Sequence, residues 1–168
     1  LHALSTEGHR QGAEGDELIV HATVRHRFTP ALSLSVKNKA VKIDGADPGP
    51  VTHPHPDHYY DVFRDGASLQ LAYARDPVRL TVTPYLNSGD HRLHDGFHGT
   101  DFVGGLSSEI RIELYRGAEL LLGVDAERVS GEVENRIDGE QIEPPVMAAV
   151  SFFNQLTLRP FAPLSLGL

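Results

Sequence analysis

Between residues 52 and 58 the chain reads Thr52-His53-Pro54-His55-Pro56-Asp57-His58. His53, His55, Asp57 and His58 bring imidazole nitrogens and a carboxylate into one short stretch, the donor types that hold zinc, copper, iron or nickel. A second polar stretch carries His91, His94 and His98. The chemistry open to these seven residues is capture of a metal or of a metal chelate. The plainer reading is that they are exposed loop histidines without a ligand. Histidine also titrates near neutral pH. No Ser/His/Asp constellation and no phosphate-cradling glycine loop stands out, so the chain is read as a non-enzyme without a cofactor.

The elements that would carry these stretches are strands. Apolar residues recur at every second position, as a strand with two unlike faces requires. Leu18, Val20, Ala22 and Val24 alternate with Ile19, His21, Thr23 and Arg25 within 18–28. After a turn at Thr29-Pro30-Ala31, Leu32, Leu34 and Val36 alternate with Ser33, Ser35 and Lys37. Leu69, Leu71 and Tyr73 form the next run, which turns at Arg75-Asp76-Pro77 into Val78, Leu80, Val82 and Leu86. Pro84 cannot donate to a ladder, so a bulge or a strand end is expected near it. Ile110, Ile112 and Leu114 precede a turn at Arg116-Gly117-Ala118, and Leu120, Leu122, Val124 and Ala126 follow it. Val150, Phe152, Leu156 and Leu158 lead through a proline-rich turn at 159–163 into Leu164, Leu166 and Leu168.

Polar loops are expected at 44–64, 88–104 and 129–145, so that short turns and long loops alternate along about eight strands of about 8–12 residues. Transmembrane barrels have this asymmetry, and a tilted crossing needs about 9–11 residues. Asp95-Gly96 and Asn135 to Gly139 read as turn chemistry. Phe28, Tyr73, Tyr85 and Tyr115 fall near strand ends, where interfacial aromatic girdles sit.

Composition narrows the classes. The 168 residues carry a formal net charge of −8, and no basic cluster offsets it, which argues against nucleic acid as a partner. No apolar run approaches the roughly 18 residues of a membrane-spanning helix. The absence of cysteine excludes disulfides and thiol chemistry. The chain opens on Leu1 and closes within a strand-like run, so both ends are expected to be cut.

Several segments resemble the barrel wall of TonB-dependent outer-membrane receptors. They are Asp47-Pro48-Gly49-Pro50, Tyr85 through Phe97, Leu122-Gly123-Val124-Asp125 with the following Gly131, and Ala148 through Leu168 with Phe153, Gln155 and Pro160. The resemblance covers roughly 18–168. It implies an all-β antiparallel up-and-down meander, residues 1–168 being one incomplete, open-edged piece of a transmembrane β-barrel of about 22 strands, with the plug domain elsewhere. It further implies residence in a bacterial outer membrane, lipid against one face, and energised uptake of a scarce small ligand such as a metal chelate. The contact with TonB would lie upstream.

Two other readings compete. His53-x-His55-x-Asp57-His58 is similar to the motif of metallo-β-lactamase-fold hydrolases. That likeness implies one zinc on His53 and His55, a second on Asp57 and His58, and a metal-activated water between them. It also implies helices flanking two sheets. The third reading is a soluble β-barrel or β-sandwich binding module, with a dry core between layers.

Overall fold

The computed structural model describes residues 1–8, 13–47, 49, 52–53, 55, 57–161 and 164–167. They form one antiparallel sheet: β1 (His2–Thr6), β2 (Gly15–Arg27), β3 (Leu32–Ala46), β4 (Tyr59–Arg75), β5 (Val78–Leu93), β6 (Phe97–Tyr115), β7 (Ala118–Asn135), β8 (Gln141–Ile142), β9 (Met147–Phe161) and β10 (Leu164–Gly167). Each strand pairs with the next, except that the two-residue β8 only tops β7 and leaves β9 beside it. The sheet does not close: its path ends at β1 and β10. The all-β meander is therefore as expected, and no helix occurs among the described residues.

The strands are longer than the sequence reading allowed. β6 has 19 residues and β7 has 18. Only His94-Asp95-Gly96 joins β5 to β6, so the expected loop at 88–104 is mostly strand. The flanking loops shrink to 47–58 and 136–146, the latter containing β8. β1 is an additional strand. Pro84 causes neither a bulge nor an end. Ser68 pairs with Tyr85 and Leu71 with Val82 in one register, and only the two pairs between them are missing, as a missing N–H requires. On its other side Pro84 still lies opposite Leu106. The expected turn at 159–163 begins later, because β9 runs to Phe161; residues 162 and 163 lie outside the described residues.

Connections 7–14, 47–58, 94–96 and 136–146 share one end of the sheet, here the loop end. The tight links at 28–31, 76–77 and 116–117 share the other, the turn end. Gly117 closes its turn with φ 91°, a conformation that side chains with a Cβ resist, and its carbonyl accepts from Arg159 N at 2.6 Å.

Register sorts the side chains into two faces. The Leu80 face carries Leu18 to Val24 on β2, Leu32 to Ala40 on β3, Ala67 to Tyr73 on β4, Val78 to Leu86 on β5, Phe102 to Leu114 on β6, Ala118 to Ala126 on β7 and Ala148 to Leu158 on β9, taken at alternate positions. These are almost all apolar; Asn38, Ser108 and Asn154 interrupt them. Towards the loop end the same face turns charged, with Asp44, Asp61, Asp65, Asp90, Arg92, Arg128 and Glu134. The Arg79 face is polar where its partner is apolar (Arg25, Lys37, Gln70, Thr81, Glu109, Asp125) and mixed towards the loop end, where Val41, Ile43, Val62, Leu93, Phe97 and Val133 stand among Glu17, Arg64, His91 and Asp101. The Leu80 face thus changes from apolar to charged along the strands.

The apolar band also runs obliquely. Leu18, Lys42, Phe63, Asp90, Thr100 and Glu132 share one cross-strand row. The band reaches that row on β2, at Leu18, but stops about six residues short of it on β7, at Ala126, and about four short on β9, at Ala148, with Phe63 and Phe102 projecting beyond their neighbours. At about 3.3 Å per residue and about 4.8 Å per strand step, the border from β2 to β9 is inclined by about 25° to the rows.

There is almost no interior. Among the described residues only Ala118, at 1 %, is a buried apolar side chain. The accessible surface is 11922 Å² for 18.4 kDa, against about 8,200 Å² for a globular monomer of that mass. Leu71, Leu122, Val150 and Phe152 all stand exposed.

Aromatic residues fill gaps beside glycines on the Arg79 face. Phe153 covers the place a Cβ would take on Gly123, Tyr85 does so at Gly105, and Tyr60 at Gly45. Each aromatic is the direct cross-strand partner of its glycine, an arrangement that pins register. Tyr85 is therefore no girdle residue: its hydroxyl donates to Glu127 Oε2 at 2.7 Å on the polar face.

Candidate functional site

The seven candidate residues lie towards the loop end of the sheet, and five of them fall in three groups. The first is a column of imidazoles. The loop 47–58 closes on itself through Asp47 N to His58 O, 2.9 Å, and His58 N to His55 O, 3.3 Å. This fold stacks His55 on His58, with centroids 4.2 Å apart and planes at 13°. His58 stacks in turn on His94 at 3.4 Å and 16°. His94 is held by its own N–H donating to Tyr59 O at 3.0 Å. The 47–58 loop is thereby tied to the short 94–96 turn.

Stacking presents ring faces, not nitrogen lone pairs, to the neighbour. His53 points elsewhere, with Nδ1 3.2 Å from Thr52 Oγ1, and Asp57 is exposed. Pro54 and Pro56 of the motif, and Pro48 and Pro50 of the preceding segment, lie outside the described residues. Among the described residues no three His, Asp or Glu side chains converge as a metal ion would require. The paired-zinc reading also needed flanking helices and two sheets, whereas the motif sits in a loop of a single helix-free sheet.

Burial, then the neighbouring rings of His94 and His55, push His58 below the ordinary histidine pKa. A lowered histidine pKa stabilises the folded loop fully above the unfolded value, and that contribution is lost as pH falls through about 6.5 towards the folded value. Acidification to about pH 5 is therefore expected to loosen the loop before the sheet. Backbone hydrogen exchange at 57–59 should accelerate while β5 and β6 stay protected; equal protection at pH 5 and pH 8 would contradict this.

The second group centres on His91, on the Arg79 face. Its Nε2 lies 3.0 Å from Arg64 Nη2 and 3.6 Å from Asp101 Oδ2, and Arg64 reaches the same carboxylate at 3.3 Å. The third centres on His98, on the opposite face. Its Nε2 lies 3.1 Å from Asp90 Oδ2 and its Nδ1 2.8 Å from Glu134 Oε1. Arg136 Nη2 approaches the same Nδ1 at 2.7 Å. Nδ1 thus lies between a carboxylate that only accepts and a guanidinium that only donates, so the ring's tautomer decides which of the two it bonds. Arg136 first, and His98 second, hold Glu134 at a pKa of about 2. Its folded-state stabilisation is present above about pH 4.5 and lost as pH falls through about 2. In R136Q the Glu134 carboxyl resonance should titrate closer to pH 4; an unchanged titration would remove Arg136 as the cause.

No protein-family model matches this chain, and no curated protein matches it. Arg64, Asp101, Glu134 and Arg136, which fix the two outer histidine groups, were not among the sequence candidates. The signal that would have found them is register. Once the link at 94–96 is known to be tight, Arg92 faces His98 and His91 faces Gly99, so the two histidines must lie on opposite faces.

Proposed function

We propose that this chain is a stretch of wall of an outer-membrane β-barrel, in a receptor of the TonB-dependent kind that takes up a scarce ligand such as a metal chelate. The oblique apolar band carries this reading. It is about 7 to 13 residues high, a range that brackets the length of a tilted crossing, and its border runs obliquely to the rows, as the tilted strands of such barrels require. A strand tilted in a membrane must cut the apolar slab obliquely to its own hydrogen-bonded rows.

The change from apolar to charged along the Leu80 face supports the same reading. In the slab the Leu80 face meets lipid and the Arg79 face a hydrated lumen. Beyond it the outward face meets water and turns charged. Phe63 and Phe102 stand at the loop-side border, and Phe28, Tyr73 and Tyr115 at the turn-side border, as an aromatic girdle does. The Tyr85–Phe97 segment leaves the band at Leu86, where its resemblance to receptor barrels would have the strand leave the membrane. The histidine loops then lie at the outer rim, placed to meet an incoming metal chelate. A soluble binding module has less support, because it needs a dry layer and the described residues bury almost nothing.

Fractionation of cells making the protein tests the proposal. The chain should travel with outer membranes and resist an alkaline carbonate wash, coming off only in detergent. Recovery in the soluble fraction would sink the membrane reading and favour the binding module.

A further inference from the structure

The inner, Arg79-side face of β2, β3 and β4 carries an unbalanced run of cations. Arg25 and Arg27 lie on β2, Lys37 and Lys39 on β3, in consecutive cross-strand rows with Ser33, Ser35, Thr23 and His21 opposite them. Glu17, near the loop end, is the one acid on this face of the three strands. Of the other described cations, Lys42 pairs with Asp44 and Asp61, Arg64 with Asp101, Arg92 with Asp90, Arg111 with Glu109 and Arg136 with Glu134, whereas Arg75, Arg79, Arg116, Arg128 and Arg159 have no ion pair. Among the described residues none of Arg25, Arg27, Lys37 or Lys39 has an ion pair. In a chain of net charge −8, acids to pair them were abundant.

A further observation marks the place as a site. A depression of ≈ 370 Å³ opens there, lined by His21, Thr23, Lys37, Lys39, Ser68 and Tyr85. An oxyanion seated in it would accept from both lysines, and charge-assisted bonds of this kind are the stronger ones.

We infer that this depression binds a small polyanion, one presenting several phosphate or carboxylate oxygens to Lys37, Lys39 and the neighbouring arginines. The site stands on the geometry of one face; only its place in a transport lumen rests on the function proposed above. Cargo or a co-bound anion would meet these cations on the way through the wall.

Calorimetric titration of the full chain, folded in the non-ionic detergent dodecyl maltoside, tests this with inorganic tripolyphosphate and with citrate as probes. Saturable binding of at least one probe is expected, weakened tenfold or more in K37Q/K39Q. It should be retained in K37R/K39R and in the opposite-face control K42Q, with all variants showing the same far-ultraviolet β signature. Which probe binds tells phosphate from carboxylate. Binding of neither probe, or equal weakening in K42Q, overturns the inference. Both results are independent of membrane fractionation, so either claim can fail alone.

Discussion

Leu122→Arg is expected to destabilise the membrane-inserted sheet by about 2–4 kcal/mol, the cost of an arginine held at mid-bilayer depth on a lipid-facing strand position. Leu121→Arg, one residue away, should cost far less. Leu122 lies opposite Ile110 and Asn154 on the Leu80 face, while Leu121 lies opposite Arg111 and Gln155 on the Arg79 face. The two substitutions add the same charge to the same strand at nearly the same depth. On the proposed reading only the solvent differs: hydrocarbon for one, a hydrated interior for the other. Folding titrations in lipid vesicles would measure both. Similar costs for the pair would contradict the assignment of faces, and in a water-exposed sheet both would be small.

The second large effect lies at Gly123. The Phe153 ring occupies the space over this glycine, and the two residues pair directly across β7 and β9. Gly123→Val must displace the ring or shift the strands, at about 1–3 kcal/mol for overpacking. Phe153→Ala should also destabilise, by uncovering the glycine. The double variant should cost less than the sum, since the valine would fill the space that the ring vacates. A denaturant series over the four proteins reads this directly. Simple additivity would mean that the ring and the glycine do not support one another.

Much of the sheet was legible in the sequence because period-two alternation survives wherever one face meets an apolar medium. It placed the strands around Val24, Leu34, Leu71, Leu80, Ile112 and Leu122 and the turns at 29–31, 75–77 and 116–118. It failed towards the loop end for a physical reason. Ser88, Asp90 and Arg92 share the face that Leu80 and Val82 hold lower down, so the alternation changes sign there and reads as loop. Gly89, Gly99, Gly104 and Gly105 strengthened that misreading, although all four are paired in strands. Pro84 was overweighted: losing one N–H interrupts two pairs but leaves the register intact.

The candidate site was legible in part. Alternating turn and loop ends were enough to bring residues 53–58 and His94 to one end. The ring stacking depends on how the loop folds back through Asp47 N and His58 N, which spacing alone does not specify. The separation of His91 from His98 depends on the three-residue link at 94–96. The cations at Arg25, Arg27, Lys37 and Lys39 were visible as polar alternation. Their gathering on one face with a single acid emerged only with register.

The central claim is that the Leu80 face meets lipid. The chain contains no tryptophan, so a single introduced one is a clean reporter of its surroundings. Tryptophan should be placed singly at Leu71, Val82 and Leu122 on that face, and at Gln70, Thr81 and Leu121 on the other. Each variant should then be folded into vesicles whose acyl chains carry bromine. Quenching is expected to be strong and depth-dependent for the first three and weak for the second three. Equal quenching on both faces, or none on either, would contradict a barrel wall and with it the proposed role in uptake.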